Sequence, residues 1–224
     1  MWFPNDGSEE WLNKADAELA IKILSAKIGE SSVCEIGVWK GAWTSVILKN
    51  IPNSKVMGID PYPNCGSEKI TMQNRIKKLG LESKFSLFEQ IIDLPVGVKF
   101  DLVHLDGLHT EKQVTSDLEL ISKRLFEDGI IVVDDFVSPW FPGVQSALYR
   151  FIHNSDYRIF LVSMQKAYVT RNDHANRMWN TMKELNESLE YSQLWENWAE
   201  AYPAHRYVQK TDILGQPVLI SSPV

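Results

Sequence analysis

The chain is predicted to fold as an α/β domain, a mostly parallel sheet with helices on both faces, and two observations carry that expectation. Short apolar runs at residues 33–36, 55–60, 84–88, 100–106 and 130–135 alternate with segments of helical period. Strands separated by helical crossovers pair in parallel, and a parallel sheet has to be covered on both faces. The acids Glu35, Asp60, Asp106, Asp134 and Asp135 lie at or next to the carboxyl ends of these runs, where open α/β sheets bind ligands. With 224 residues, 44% of them hydrophobic, one such core can be filled as a single domain.

The net charge of −6 and the scattered lysines and arginines argue against nucleic acid or an anionic membrane as partner, leaving a small molecule. Cys34, in an apolar run, and Cys65, in a loop, form no metal or disulfide framework and read as free thiols of a reducing compartment. The first residues carry neither a basic nor an apolar leader pattern, and no apolar run is long enough to span a bilayer. A cytoplasmic location is the expectation.

Taken in order, Ser8 can open a helix to about Ile28, with Leu12, Ala15, Leu19, Ile23 and Ala26 on one face. The segment Val-Cys-Glu-Ile-Gly-Val-Trp-Lys-Gly at 33–41 then reads as strand and glycine turn, followed by a helix from Ala42. Gly37 and Gly41 let the backbone approach a ligand, and the helix start offers unpaired N–H groups. The spacing E-x-G-x-x-x-G differs from the G-x-G-x-x-G of dinucleotide sites, and Glu35 suits a cation better than a pyrophosphate. Two glycines near a strand end also occur in purely structural turns.

The run 55–60 ends at Asp60, before Pro61, about 20 residues beyond the turn, the interval at which nucleotide-binding units hold ribose hydroxyls. A helix is predicted over 67–79, strand three over 84–88 with Glu89 and Gln90 at its end, strand four over 100–106, and a helix over 110–125. Strand five covers 130–135 and a helix 144–154; 158–162 and 167–170 form an antiparallel hairpin. Beyond it come a helix over 174–191, a piece with Trp195 and Trp198, and a last hairpin over 207–220.

Asp106, Asp134 and Asp135 would crowd one rim if strands four and five are neighbours, since strand ends lie about 5 Å apart. Crowded carboxylates are costly without a cation, and oxygen ligands select a hard ion such as Mg²⁺. His109, three residues past Asp106, titrates near neutral pH and suits taking a proton from a hydroxyl, though it could equally serve only the helix start. His104 reads as a core histidine.

Asp106-Gly107-Leu108-His109, Asp117-Leu118, Asp128-Gly129 through Phe136, and Pro142-Gly143-Val144 with Ala147 resemble the macrocin- and mycinamicin-type sugar O-methyltransferases, and 33–41 resembles motif I of class I S-adenosylmethionine methyltransferases. The resemblance covers about 33–170. It implies a Rossmann-like, seven-stranded sheet with an antiparallel strand near the end, and Mg²⁺-assisted methylation of a small-molecule hydroxyl, a sugar or vicinal diol. It further implies Mg²⁺ on Asp106, Asp134 and Asp135, catalysis by His109 and Asp106, and S-adenosylmethionine held by Glu35, Gly37, Gly41, Thr44, Asp60, Glu89, Gln90 and Asp106. Some relatives carry an acid where Leu108 stands, so the base could differ. Residues 1–30 would add a helix to the core at 31–170, and 171–224 a substrate cap or a homo-oligomer surface. An NAD-dependent oxidoreductase and a non-catalytic binding protein are the alternatives on such a fold.

Overall fold

The computed structural model describes residues 3–4, 14–25, 29–163, 165–187, 207–213 and 216–222. Helix α1 (Lys14–Ser25) precedes the alternation β1 (Ser31–Ile36), α2 (Ala42–Asn50), β2 (Ser54–Ile59), α3 (Gly66–Lys78), β3 (Phe85–Phe88), β4 (Phe100–Leu105), α4 (Glu111–Ile121), β5 (Leu125–Val133) and α5 (Pro142–His153). The hairpin β6 (Tyr157–Ser163) and β7 (Lys166–Arg171), helix α6 (Asn172–Glu187) and the hairpin β8 (Tyr207–Ile213) and β9 (Gln216–Ser222) complete it. Trp195, Trp198 and the expected end of α6 lie outside the described residues.

The sheet order is β3-β2-β1-β4-β5-β7-β6-β9-β8. Strands β1 to β5 pair in parallel, and β7 runs antiparallel to both β5 and β6. The expected seven strands are followed by two more, because β9 pairs with β6 in parallel and brings the last hairpin into the same sheet. Every residue of β4 is buried, as a central parallel strand requires.

One face packs on α1, α2 and α3 through Leu19, Leu24, Val46, Ile47 and Met72, meeting Val33, Leu102, Val132 and Tyr168. The other packs on α4 and α5, whose Val114, Leu118, Ile121, Val144, Ala147, Leu148 and Phe151 meet Val103, Leu105, Ile131 and Val133. These spacings of three and four give each helix one apolar stripe. Thr110 caps α4 by accepting the Gln113 N–H at 3.3 Å, and Pro142 starts α5, where its missing N–H costs nothing.

Helix α4 stops at Ile121, not 125, and strand five starts at Leu125, not 130. Phe100 pairs with Leu125 and Leu102 with Ile130, so the extra residues of β5 are absorbed in a bulge that sequence periodicity does not register. Strand five ends at Val133, and Asp134 and Asp135 form the turn beyond it.

The glycine turn is built by contacts within the fold. At Gly37 (φ 88°) a Cβ would stand 1.9 Å from the Asp106 carbonyl oxygen, so the turns after β1 and β4 touch backbone to backbone. Gly37→Ala should therefore cost more than about 2 kcal/mol in urea unfolding, adding a clash to left-handed strain. Gly97→Ala, with a similar φ of 80° and nothing within 4 Å, should cost only about 1–2 kcal/mol. Equal losses at the two sites would show that the turns are not pressed together.

Candidate active site

Register places the acids. Glu35 pairs with His104 and Ile36 with Leu105 across β1 and β4, while Leu105 pairs with Val133 across β4 and β5. The next residues continue the pattern: Asp106 N–H donates to Ile36 O at 2.8 Å and Asp134 N–H to Leu105 O at 3.0 Å. The three acids thus reach one rim, but there they divide. Asp106, His109 and Asp135 form one set with ligand atoms within 4.8 Å of one another, and His104, Asp106 and Asp134 form a second. Between them, Asp134 Oδ1 accepts the Asp135 N–H at 2.8 Å, and Asp135 takes φ 55°, a conformation Asp tolerates better than most residues.

The outer set faces solvent in part. His109 Nε2 lies 3.3 Å from Asp106 Oδ1 and 3.2 Å from Asp135 Oδ2, and its ring lies tilted against Phe141 with centroids 4.3 Å apart. A hydrogen bond to Asp106 and the charges of Asp106, Asp135 and Asp134 outweigh partial burial and raise the His109 pKa. Burial and the neighbouring Asp134 raise that of Asp135.

In the inner set His104 is buried and Asp106 and Asp134 are half-buried. Lys166, opposite Asp134 in the antiparallel run of β5 and β7, binds Asp134 Oδ2 and approaches His104 Nε2 at 3.2 Å. His104 stacks on Trp43 at 4.5 Å, with Nδ1 3.6 Å from Glu35 Oε1 and Nε2 3.6 Å from Asp134 Oδ2. Burial opposes charge on Asp134, but Lys166 and His104 outweigh it and hold the carboxyl well below its usual range. Burial and Lys166 oppose charge on His104, yet Asp134 and Glu35 prevail and lift it to about 9. Asp16 of α1 adds a further buried carboxyl, pushed up to about 7 by burial against the pull of Lys166.

The expected cofactor residues sit as follows. Glu35 is buried, its Oε2 accepting the Thr44 hydroxyl, so both carboxylate oxygens face partners inside the fold. Thr44 is fully buried. Gly41 takes φ 69° before α2, where a Cβ would meet Met72 Cγ at 2.8 Å. Asp60 bridges two turns by accepting Trp39 N–H at 2.9 Å and Tyr62 N–H at 2.8 Å, and the Tyr62 hydroxyl donates to Trp39 O at 2.6 Å. Glu89 and Gln90 are exposed beyond β3.

Residues 34–136 match a protein family described as a methyltransferase domain. The fold around that stretch is the class I methyltransferase fold. An uncharacterized protein of Acanthamoeba polyphaga mimivirus is 29% identical over 129 residues, 53% of this chain. The match spans only 58% of that relative. Among solved structures, a Staphylococcus aureus protein proposed to be a caffeoyl-CoA O-methyltransferase superposes with a TM-score of 0.61 at 12% identity, over 76% of this chain and 86% of that one. The O-methyltransferase TomG of Streptomyces achromogenes, in complex with SAM, gives 0.51 at 15% identity, over 75% and 90%. At such identities the likeness concerns the fold.

Lys166 and Asp16, both outside the matched stretch 34–136, belong to the buried charge cluster behind this rim, and the sequence reading missed them. Lys166 follows Gln165 between two strands and reads as a turn residue; only the hairpin register sets it opposite Asp134. Cys34 and Cys65 are free thiols, and no helix of the described residues is long and apolar enough to cross a membrane.

The inner charges have a measurable consequence. The folded pKa of His104, about 9, exceeds its ordinary 6.5, so its contribution to stability is complete below about 6.5 and is lost as pH rises toward 9. His109, also raised, acts in the same direction. In chelator, thermal stability should fall between pH 6.5 and 9, and His104→Asn should flatten that slope. A slope unchanged by the substitution would mean that His104 is neutral in the fold.

Proposed function

We propose that this methyltransferase domain transfers a methyl group from S-adenosylmethionine to a hydroxyl of a small molecule, a sugar or another vicinal diol, with help from a divalent ion such as Mg²⁺. The observation that carries the reading is His109 Nε2 between Asp106 and Asp135 on the rim of a methyltransferase sheet. A half-exposed imidazole flanked by two carboxylates, above strand ends that bind ligands in this architecture, is placed to take a proton from an acceptor.

Donor chemistry supports the ion. Asp106 and Asp135 offer partly exposed oxygens near one another, as a hard cation with water in its shell requires. Such an ion, when bound, makes a neighbouring hydroxyl more acidic. It would also offset the negative charge that raises the His109 pKa, leaving the imidazole neutral and able to accept the proton. Two adjacent acceptor oxygens can share one ion, which favours a vicinal diol.

S-adenosylmethionine supplies a methyl group on a sulfonium. Asp60 would hold the ribose: its oxygens already fix Trp39 and Tyr62, and a carboxylate has lone pairs left for hydroxyls. Gly37 and Gly41 shape the turn beside it, and at the end of β3 the exposed Glu89 would meet the base, next to Gln90, whose side chain caps the short helical turn at 91–93. Glu35 would act from behind, holding Thr44 and thus the start of α2 in place. The remaining task is alignment of acceptor, methyl and sulfur, which positioning alone can accelerate strongly.

S-adenosylhomocysteine at about 100 times its Kd should stabilise the protein by about 2.7 kcal/mol, whereas NAD should not. Stabilisation by NAD alone would replace this reading with the oxidoreductase one. Asp60→Ala should weaken S-adenosylhomocysteine by about 1.5–3 kcal/mol. Once an acceptor is in hand, His109→Ala should lower turnover about 10²- to 10⁴-fold with cofactor affinity little changed. Chelator should stop turnover without releasing S-adenosylhomocysteine; full turnover in chelator would remove the ion from the mechanism.

A further inference from the structure

Asp134 differs from Asp106 and Asp135 in already having a cation. Its Oδ2 binds the ammonium of Lys166 and faces His104 Nε2 at 3.6 Å, and its Oδ1 accepts the Asp135 N–H at 2.8 Å. Lys166 is 6% exposed. Taking Asp134 away to coordinate an ion would strip a buried ammonium of its closest anion, and would bring a divalent charge against Lys166 and His104 across one carboxylate. Among the described residues, the ion pairs of Asp106 Oδ1 and Asp135 Oδ2 on this rim are with the partly exposed His109.

We propose, resting on the metal-assisted reading above, that Lys166 is a built-in counter-cation that withholds Asp134 from the ion's ligand set. The ion is left to Asp106 and Asp135. Asp134 is then a positioning residue: it anchors the Asp135 backbone on one side, and through His104 it is linked to Glu35 and the Thr44 hydroxyl at the start of α2 on the other. The rim therefore has two layers, an inner one neutralised by the chain and an outer one that recruits a cation from solution. Lys166 fits this duty because it opens β7, paired with Ser163 of β6, one residue before Ala167 pairs with Val133 of β5.

The test is ion binding by the full chain, followed by titration calorimetry with Mg²⁺ and by Mn²⁺ paramagnetic resonance, with S-adenosylhomocysteine present. The double variant Lys166→Met with Asp134→Asn leaves the net charge of the rim unchanged, keeps an oxygen for the Asp135 N–H and should change ion affinity by less than about threefold, while Asp106→Asn and Asp135→Asn should each weaken it about 10- to 100-fold or more. Lys166→Met should free Asp134 to bind the ion, so Mg²⁺ should raise its melting temperature more than that of the wild type. Should Lys166→Met fail to fold, the double variant Lys166→Met with Asp134→Asn removes both charges and should bind the ion as the wild type does. A tenfold loss in the folded double variant, with the wild type binding normally, overturns the inference alone. A wild type that binds no ion overturns both the inference and the metal-assisted reading.

Discussion

The structure turns on a row of alternating charges buried between the sheet and its α1–α2 face. Asp16, Lys166, Asp134, His104 and Glu35 run from the N-terminal helix to the strand that leads into the glycine turn, acid and base in alternation. None of these groups could be buried alone, since removing one partner of a buried pair costs about 3–5 kcal/mol. Together they tie five elements: α1, β7, the turn after β5, β4 and β1. The order of the parallel strands permits this. Glu35 and His104 are register partners, and Asp134 and Lys166 continue the register of β5 and β7.

The same constraint shapes the surface of the site. Gly37 lets the turn after β1 press on the Asp106 carbonyl, so the rim that carries Asp106 is fixed relative to the turn that carries Trp39. Asp60 then binds Trp39 from the end of β2, and Arg75 of α3 donates to Lys40 O at 2.9 Å from below. A turn held from three sides has little conformational freedom left to lose when a ligand settles on it. Part of what resembles a ligand cradle in sequence is this internal bracing.

The fold was legible because its signals are local. Alternating apolar runs and helical stripes predicted the parallel sheet, and simple periodicity set Asp106, Asp134 and Asp135 at strand ends and His109 at the helix start just beyond Asp106. What escaped depended on contacts distant in sequence. The bulge that lets β5 begin at Leu125 needs β4 as its template, and the ninth strand needs β6. Glu35 reads as a group awaiting a cation, which is physically sound; its nearest cation is His104, 69 residues away on the neighbouring strand. Lys166 carries no mark in its own segment, because a lysine beside a hairpin turn is ordinarily a solvated one.

On the proposed function, this division of charge explains how one rim can hold so many acids and still take an exogenous ion selectively. Were all three aspartates uncompensated, the ion would be needed to keep the fold from repelling itself, and binding would be coupled to global stability. With Asp134 neutralised internally, only Asp106 and Asp135 remain for the ion, and His109 partly compensates them when it is absent. The imidazole then serves as a cation in the empty site and as a base in the loaded one. A single side chain can fill both roles because the charge that decides its protonation is the charge the ion brings.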